Sequence, residues 1–281
     1  MGTTEFFKPK TIEETLELLN QYNDEAVIVN GGTDIVEKIG EGKINPQAIV
    51  YIKDISELNK IREENGKIII GGAVTYEAIE TSKICNKVLG LIQAVSEIGS
   101  PPVRVVATPA GNLGTAAPAS DCNVMMLALG AEVLVVSKNE ERIIKLEDFF
   151  IKTNQTVLKS NELIKEIIIP EDAASSYNGY VRLARRKAQD IAKVLVGVSV
   201  TADNDICKDI KISLGALNAI PIRAYSLESM MIGKDIHEGL RQIRGIFPKE
   251  AKPRKSRFKR YKELVTNTVI QRAIKKAYGI V

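Results

Sequence analysis

The sequence predicts a protein of the α+β class, because stretches typical of strands and stretches typical of helices both occur along its whole length. Hydrophobic residues make up 44% of its 281 positions and charged residues 26%, as in soluble globular proteins. This length is enough for two domains. A polar stretch at 171–179 has the composition of a linker between them.

The N-terminal third begins with a clear helix signal. Thr11 precedes the first apolar residue and Glu14 follows three positions later, which is a capping box for a helix with buried Ile12, Leu16 and Leu19. Thr75 is expected to cap a second helix that starts at Tyr76. Short apolar runs predict strands at 26–29, 49–52 and 67–70.

The rest of the chain repeats this mixture. The stretch 99–121 is poor in charge and rich in Gly, Pro, Ala and Thr, and we expect a long functional connection without regular structure. Helices are predicted at 88–98, 122–129 and 256–278, and strands at 132–137, before Pro170, near 180–186, 194–202 and 210–217.

Composition excludes several kinds of chemistry. A single histidine, His237, lies in a charged stretch, which leaves no room for a histidine-rich metal site and little for a histidine-based triad. The three cysteines, Cys85, Cys122 and Cys207, have neither metal-ligand spacing nor a disulfide pattern. No signal peptide or membrane-spanning run is recognisable. These features indicate a cytoplasmic protein with no metal site, no iron–sulfur cluster and no membrane contact.

Positive charge is concentrated in one segment. Between residues 241 and 262 there are ten Lys or Arg and one carboxylate, Glu250. Such a run can bind nucleic acid, but few aromatic residues and no nucleic-acid-binding motif accompany it. We therefore interpret it as a solvated or subunit-facing surface, with no nucleic-acid partner.

Two glycine-rich motifs carry the chemistry. In IVNGGTDI, 28–35, two glycines follow a strand, so that the backbone can approach a ligand and successive N–H groups can hold an anion. It is not the GxGxxG fingerprint of dinucleotide-binding folds. In GNLGTAAPASD, 111–121, polar side chains lie in a chain of small residues, which suits a long, partly apolar ligand.

Together these motifs resemble the FAD-binding subunits of the molybdenum hydroxylases, such as those of xanthine dehydrogenase, carbon monoxide dehydrogenase and nicotinate dehydrogenase. The stretches SPPVRVVAT (100–108), LARRKAQDIAKV (183–194) and SLGALNAIPIRA (213–224) extend the likeness in the same order over nearly the whole chain. The resemblance implies a two-part FAD-binding domain of the p-cresol methylhydroxylase type at 1–172. An α/β C-terminal domain of the CO dehydrogenase flavoprotein type is implied at 173–281.

The resemblance also implies the site. The first motif would wrap the pyrophosphate of FAD, the second would continue this cradle, Ile164 would lie beside the isoalloxazine, and Arg182 would be a cation near the flavin. No catalytic acid or base is assigned, since the flavin carries the chemistry. The implied FAD-binding residues are Ile28, Val29, Asn30, Gly31, Gly32, Thr33, Asp34, Ile35, Thr108, Ala110, Gly111, Asn112, Thr115, Asp121, Ile164 and Arg182.

By the same resemblance, the molybdenum cofactor and the 2Fe-2S clusters lie on a large and a small partner subunit. Electrons would pass from those clusters through FAD to NAD or another acceptor. The alternative is a self-contained flavoenzyme of this fold, similar to the enolpyruvyl reductase of cell-wall synthesis, but no proton donor is evident. Asn30, Ala110 and Ala117 depart from the residues usual in the family's motifs.

Overall fold

The computed structural model describes residues 4–186 and 189–280, which form fourteen strands and eleven α-helices. The strands are β1 (Glu5–Phe7), β2 (Ala26–Val29), β3 (Ala48–Tyr51), β4 (Ile61–Glu64), β5 (Lys67–Gly71), β6 (Glu132–Val136), β7 (Glu141–Lys145), β8 (Phe150–Lys152), β9 (Gln155–Thr156), β10 (Leu163–Ile169), β11 (Tyr177–Leu183), β12 (Val194–Asp203), β13 (Ile206–Gly215) and β14 (Ile222–Arg223). The helices are α1 (Ile12–Tyr22), α2 (Ile35–Gly40), α3 (Tyr76–Thr81), α4 (Leu89–Ser96), α5 (Pro101–Arg104), α6 (Pro109–Thr115), α7 (Asp121–Ala128), α8 (Glu171–Ala174), α9 (Tyr225–Met231), α10 (Ile236–Gln242) and α11 (Lys259–Tyr278).

The first layer is a small parallel sheet with strand order β1-β3-β2. Helix α1 begins as predicted, with Thr11 accepting a hydrogen bond from the N–H of Glu14 and the Glu14 carboxylate accepting one from Lys10. Its apolar face is buried with residues of β3 and of the turns that follow it. Because the parallel strands end together, the turn after β2 opens at one edge of this sheet.

The second layer is an antiparallel sheet with order β4-β5-β10-β6-β7. Strand β10 lies at its centre, where Ile167 pairs with Ile70 on one side and Val133 on the other. Its core continues into helices α3, α4 and α7. The predicted cap of α3 is confirmed, since Thr75 accepts from the N–H of Ala78 at 3.1 Å.

The C-terminal part is an antiparallel sheet with order β11-β12-β13-β14. Alternate residues of β12 and β13, together with helices α9, α10 and α11, form a separate core. The long strands β12 and β13 pair over nearly their whole length, with Val198 opposite Ile212 and a register shift between Thr201 and Ala202. The predicted strands and the long last helix of this part are confirmed.

Of two predictions about connections, one stays a prediction and one is wrong. The stretch 171–179 contains α8 and the start of β11, and Asn178 accepts a hydrogen bond from the N–H of Gly90 at 2.6 Å, so its role as a linker between domains stays a prediction. The stretch 99–121 is not without regular structure, because it contains helices α5 and α6. The domain boundary predicted between residues 172 and 173 falls inside α8 and stays a prediction.

Within residues 4–186 and 189–280, no helix combines the length and the apolar character needed to span a membrane. The same residues contain no group of three or more His, Cys, Asp or Glu arranged to hold a metal ion. His237 lies exposed in α10, where its N–H donates to the capping carboxylate of Asp235.

Candidate cofactor site

A cleft of about 630 Å³ is lined by residues of both N-terminal sheets. One wall comes from α1, β2 and the turn after β2, and the opposite wall from α6, β10 and the connection before β10. The predicted site residues that line it are Ile28, Asn30, Gly31, Gly32, Thr33, Asp34, Ile35, Thr108, Ala110, Gly111, Asn112, Thr115 and Ile164. A cleft of this size suits a cofactor rather than a single ion.

The turn after β2 offers a row of unused donors, which we name the donor loop (residues 31–35). Among the described residues, no backbone carbonyl accepts from the N–H groups of 31–35. The polar side chains at Asn30 and Asp34 bond elsewhere and leave these N–H groups free. Consecutive free N–H groups form a concave site for an anion such as a phosphate or pyrophosphate.

Glycine is required twice in the donor loop. A β-carbon on Gly31 would lie 2.3 Å from the carbonyl oxygen of Val106 and 2.7 Å from the Cα of Ala107. Gly32 has φ +72°, a left-handed conformation that costs other residues free energy. Close backbone packing and this turn together present the loop to the cleft, so neither position tolerates a side chain without movement.

Asn30 anchors the start of the donor loop. Its Nδ2 donates to the carbonyl oxygen of Gly72 at 2.6 Å, and its side chain is buried. Gly72 in turn lies against the carbonyl of Ile164, where a β-carbon would approach within 2.3 Å. Asn30 therefore joins the donor loop, through Gly72, to the backbone of the opposite wall.

A second tie crosses the cleft between the two glycine-rich segments. The single O–H of Thr115 is shared between the Asp34 carboxylate at 3.2 Å and the carbonyl of Gly111 at 3.1 Å. Lys38 pairs with the same carboxylate at 2.5 Å, so the negative charge of Asp34 is balanced beside the donor loop. The sequence separation is 81 residues, which shows how the fold unites the two motifs.

The second glycine-rich segment is helical, unlike the first. Thr108 caps α6 by accepting from the N–H of Gly111 at 3.1 Å, and Asn112 donates its N–H to the Thr108 carbonyl. Gly114 is exposed and a β-carbon there meets no protein atom within 4 Å. Because α6 satisfies most of its own N–H groups, it acts chiefly as a wall whose small residues leave space for a ligand.

Three predicted site residues do not line the cleft. Val29 is buried in β2, and its carbonyl accepts from Ile52. The Asp121 carboxylate accepts from the Tyr180 hydroxyl at 2.6 Å and lies 3.4 Å from Arg182. Burial raises the pKa of Asp121, although Tyr180 and Arg182 both act to lower it. Cofactor contacts by these three residues stay predictions.

Arg182 nevertheless lies close to one end of the cleft. Its guanidinium donates to the carbonyl of Glu97 at 2.6 Å and to that of Asp190, and the next residue after Glu97 is the cleft residue Ile98. Its Nε is buried and has no hydrogen-bond partner among the described residues. Arg182, the cation predicted near the flavin, therefore lies beside the cleft and does not line it.

Several cleft residues were missed by sequence reasoning. Leu19 contributes from α1, Tyr76 from the start of α3, and Leu158, Lys159 and Ser160 from the connection between β9 and β10. These residues carry no motif, and only tertiary folding brings them to the cleft. The one available signal was the polar, turn-forming composition of 153–161 just before a strongly apolar strand.

Unpaired buried polar atoms cluster around the same cleft. In the described parts of the chain, four such side-chain atoms occur: Asn30 Oδ1, Tyr76 OH, Asn123 Oδ1 and Arg182 Nε. Asn30 and Tyr76 line the cleft, and Asn123 donates to the carbonyl of the cleft residue Asn112 at 3.3 Å. Buried polar groups normally find partners. With five free N–H groups, apolar walls and this polar rim, the residues present fit FAD.

The three thiols lie away from this chemistry. Cys85, Cys122 and Cys207 are all buried, and none lines the cleft. Burial raises the pKa of Cys85 and of Cys207 to about 11 and raises that of Cys122 further. Their environment is that of inert core thiols.

Comparison with known proteins agrees with this geometry. Residues 2–172 match the family described as the FAD binding domain in molybdopterin dehydrogenase. Residues 179–277 match the CO dehydrogenase flavoprotein C-terminal domain.

Individual relatives match over most of their length. The nicotinate dehydrogenase FAD-subunit of Eubacterium barkeri is 35% identical over 239 residues, which are 83% of this chain and 81% of that protein. The caffeine dehydrogenase subunit beta of a Pseudomonas species is 30% identical over 84% of this chain and 80% of its own. A solved chain of carbon monoxide dehydrogenase from Hydrogenophaga pseudoflava superposes with a TM-score of 0.92, at 25% identity, over 99% of this chain and 98% of that one.

Proposed function

The chain belongs to the family of FAD-binding flavoproteins of the molybdopterin dehydrogenases, and on this premise we propose that it is the electron-transferring flavin subunit of a heteromeric molybdenum dehydrogenase. The observation that carries the proposal is the donor loop, with five consecutive N–H groups that lack an acceptor among the described residues and line a cofactor-sized cleft. The donor loop would hold the pyrophosphate of FAD, and the apolar walls of the cleft would contact the rest of the cofactor.

In this proposal the donor loop binds the pyrophosphate, and Lys38 and Asp34 keep its surroundings close to neutral. Ile98, Val103 and Ile164 form an apolar end of the cleft, which excludes water from a flat ring system. When bound, FAD supplies one-electron and two-electron exchange. The chain contributes binding, orientation and electrostatics, and no residue is assigned as a proton donor.

The partners are proposed from the relatives. Their names describe subunits or medium chains of dehydrogenases that act on nicotinate, caffeine or carbon monoxide. The solved enzyme from H. pseudoflava is described as lacking one moiety of a molybdenum cofactor. We therefore assign molybdenum and 2Fe-2S clusters to a large and a small partner subunit, and NAD or another acceptor to the final step. Because the named substrates differ widely, substrate choice is assigned to the molybdenum subunit.

The first test fills the cleft without disturbing the protein. Leucine at Gly114 would extend into open space that the proposal gives to FAD. Gly114→Leu should lose bound FAD while the apoprotein keeps its thermal midpoint. Gly40→Leu is the matched control, because Gly40 is also an exposed helix residue whose β-carbon meets no atom within 4 Å, but it lies outside the cleft. Flavin absorbance of the purified chains measures the outcome, and full FAD content in Gly114→Leu would contradict the assignment.

The second test concerns the electron path. The complex purified through this chain should contain FAD on this chain and iron and molybdenum on the others. The separated flavin chain should pass electrons between NADH and a dye, or between another donor and a dye, but should not oxidise a heterocyclic substrate. Turnover of such a substrate by the lone metal-free chain would favour the self-contained flavoenzyme instead.

A further inference from the structure

The positive charge of the chain comes from one short region. Residues 241–262 contain ten of the 39 Lys and Arg but one of the 35 Asp and Glu, so the remaining residues carry 29 cations against 34 carboxylates. The molecule outside this segment is therefore net negative. Such a separation of charge creates a local positive field that can steer an oppositely charged partner.

The structure gathers these cations into a surface that we name the basic ridge (Lys193, Lys252, Arg254, Lys255, Arg257, Arg260 and Lys262). Within the described parts of the chain, none of the seven has a carboxylate oxygen within 4.0 Å, whereas Lys259, in the same segment, is paired with Glu263 at 3.7 Å. The ridge is thus a surface of uncompensated charge.

An aromatic ring organises the ridge. The Lys193 ammonium and the Arg257 guanidinium each lie 4.7 Å from the centre of the Phe258 ring. Lys262 donates to the carbonyl of Ala216, the residue directly after β13. Burial lowers the pKa of Lys262, and the nearby charges of Arg254 and Lys193 lower it further. Lys193, Arg254 and Lys262 are therefore close enough to repel one another, and an acidic partner would relieve that repulsion.

The only carboxylate of the segment is turned away from the ridge. Glu250 accepts from the N–H and the hydroxyl of Ser226, at 2.8 and 2.7 Å. Asn218 fixes the backbone on both sides, since its Nδ2 donates to the carbonyl of Glu250 and its Oδ1 accepts from the N–H of Lys252. These hydrogen bonds fix the backbone at the start of the ridge and hold the Glu250 carboxylate at Ser226, so that it does not neutralise the ridge cations.

The ridge is connected to the cleft through few residues. The N–H of Lys193 donates to the carbonyl of Leu183, next to Arg182. Arg182 in turn donates to Glu97, and Ile98 lines the cleft. A short series of contacts therefore links Lys193 of the ridge to the cleft residue Ile98.

The rim of the ridge is apolar. Tyr261 and Leu264, on one face of α11, are 45% and 69% exposed, and Ile191 is 72% exposed. Aromatic and Arg side chains beside exposed apolar ones are the composition of a protein interface. Phe258 itself is not available for stacking on the bases of a single-stranded nucleic acid, because two cations already lie over its ring.

We propose that the basic ridge docks an acidic surface of the partner subunit that delivers electrons to this chain. The inference rests on the proposed function, because it takes the need for an electron-donating partner from it. Charge attraction guides the encounter, and Tyr261, Leu264 and Ile191 are buried in the contact. The ridge thus determines which face of this chain meets the donor.

The test replaces ridge cations whose side chains make no hydrogen bond or ion pair within the described parts of the chain. The ridge variant Arg254→Gln, Lys255→Gln, Arg260→Gln spares the two residues stacked on Phe258. Its control is Lys83→Gln, Lys145→Gln, Lys152→Gln, which removes three exposed lysines that, among the described residues, also have no carboxylate within 4.0 Å. Both variants have the same net charge, and thermal midpoints check that each is folded.

Association with the separately purified partner subunits is measured at about 20 mM and about 500 mM NaCl, where screening differs strongly. The ridge variant should associate on the order of 10-fold more slowly at low salt and equally fast at high salt. The control should stay within about twofold of wild type throughout. FAD content and dye reduction should be the same in both variants as in the wild type. A wild-type chain that contains no FAD would refute the proposed function, and this outcome is independent of the ridge.

Equal association rates for the ridge variant and the control would overturn the proposal. The proposal would also be overturned if the ridge variant bound duplex DNA or anionic lipid vesicles less well than the wild type but associated with the partner subunits equally fast. In that case the surface would recognise a different anionic macromolecule.

Discussion

The two glycine-rich segments look alike in sequence but do different things in the structure. The donor loop leaves five N–H groups without a described acceptor, while α6 uses most of its own in a capped helix. In the first, glycine permits close packing of two backbone segments, since a β-carbon at Gly31 would lie 2.3 Å from the carbonyl oxygen of Val106. In the second, glycine provides empty space, since nothing lies within 4 Å of a β-carbon at Gly114.

The difference teaches that glycine content alone does not identify an anion site. What matters is whether the backbone leaves its N–H groups free, and this depends on the conformation that the surrounding fold imposes. The donor loop is therefore the expected binding element, and α6 the expected wall. Substitutions in the two segments should have unequal effects.

The largest difference is expected between Gly31→Ala and Gly111→Ala. A methyl group at Gly31 collides with Val106 and Ala107, so the donor loop must move. At Gly111 it meets only the Thr108 hydroxyl at 3.1 Å, and alanine favours the helix. Gly31→Ala should weaken FAD binding on the order of 100-fold, about 2.7 kcal/mol, and Gly111→Ala by less than about threefold.

Fluorescence titration of the two apoproteins with FAD measures both affinities. Comparable losses in the two variants would mean that α6 binds the pyrophosphate as much as the donor loop does. The comparison between the segments would then fail.

A smaller effect is expected from cutting the tie between the segments. Thr115→Val removes the hydrogen bond to Asp34 and should destabilise the apoprotein by about 1 kcal/mol, with a loss of FAD affinity of about fivefold. Thr81→Val is its control, because Thr81 also donates to a carbonyl four residues earlier but has no partner across the cleft. Thermal unfolding and FAD titration should separate the two variants; identical behaviour would show that the tie is unimportant.

The smallest effect is expected from the three buried thiols. Because burial raises the pKa of Cys85 and Cys207 to about 11, about one thiol in a thousand is ionised at pH 8 in the folded chain. Iodoacetamide should therefore leave the thiols and the FAD content unchanged until the protein unfolds. Between about pH 9 and pH 11 the unfolded chain loses thiol protons that the folded chain keeps, so the free energy of unfolding should fall as the pH rises. Rapid alkylation of the folded protein would contradict this.

Sequence reasoning was sufficient for local features and insufficient for long-range ones. The caps at Thr11 and Thr75 and the apolar strands were predictable, because they depend on neighbouring residues. Helices α5 and α6 were missed although Pro101 and Pro109 follow capping-type Ser100 and Thr108, a pattern that signals a helix start.

The site divides in the same way. The motif residues of the donor loop and α6 were predictable, but their tie through Asp34 and Thr115 was not. Arg182 was expected beside the flavin, yet its partners are the carbonyls of Glu97 and Asp190, which no local pattern reveals. Leu158, Lys159 and Ser160 reach the cleft only because β10 lies at the centre of its sheet.

The most direct measurement of the central claim is amide hydrogen exchange of the donor loop with and without FAD. Because the N–H groups of residues 31–35 have no described acceptor, they should exchange rapidly in the apoprotein. Saturating FAD should slow them by more than about 10-fold, while the already bonded N–H groups of Gly111 and Asn112 change less. Unchanged exchange at 31–35 in a chain that has bound FAD would show that the pyrophosphate is held elsewhere, and the account of the cleft would be wrong.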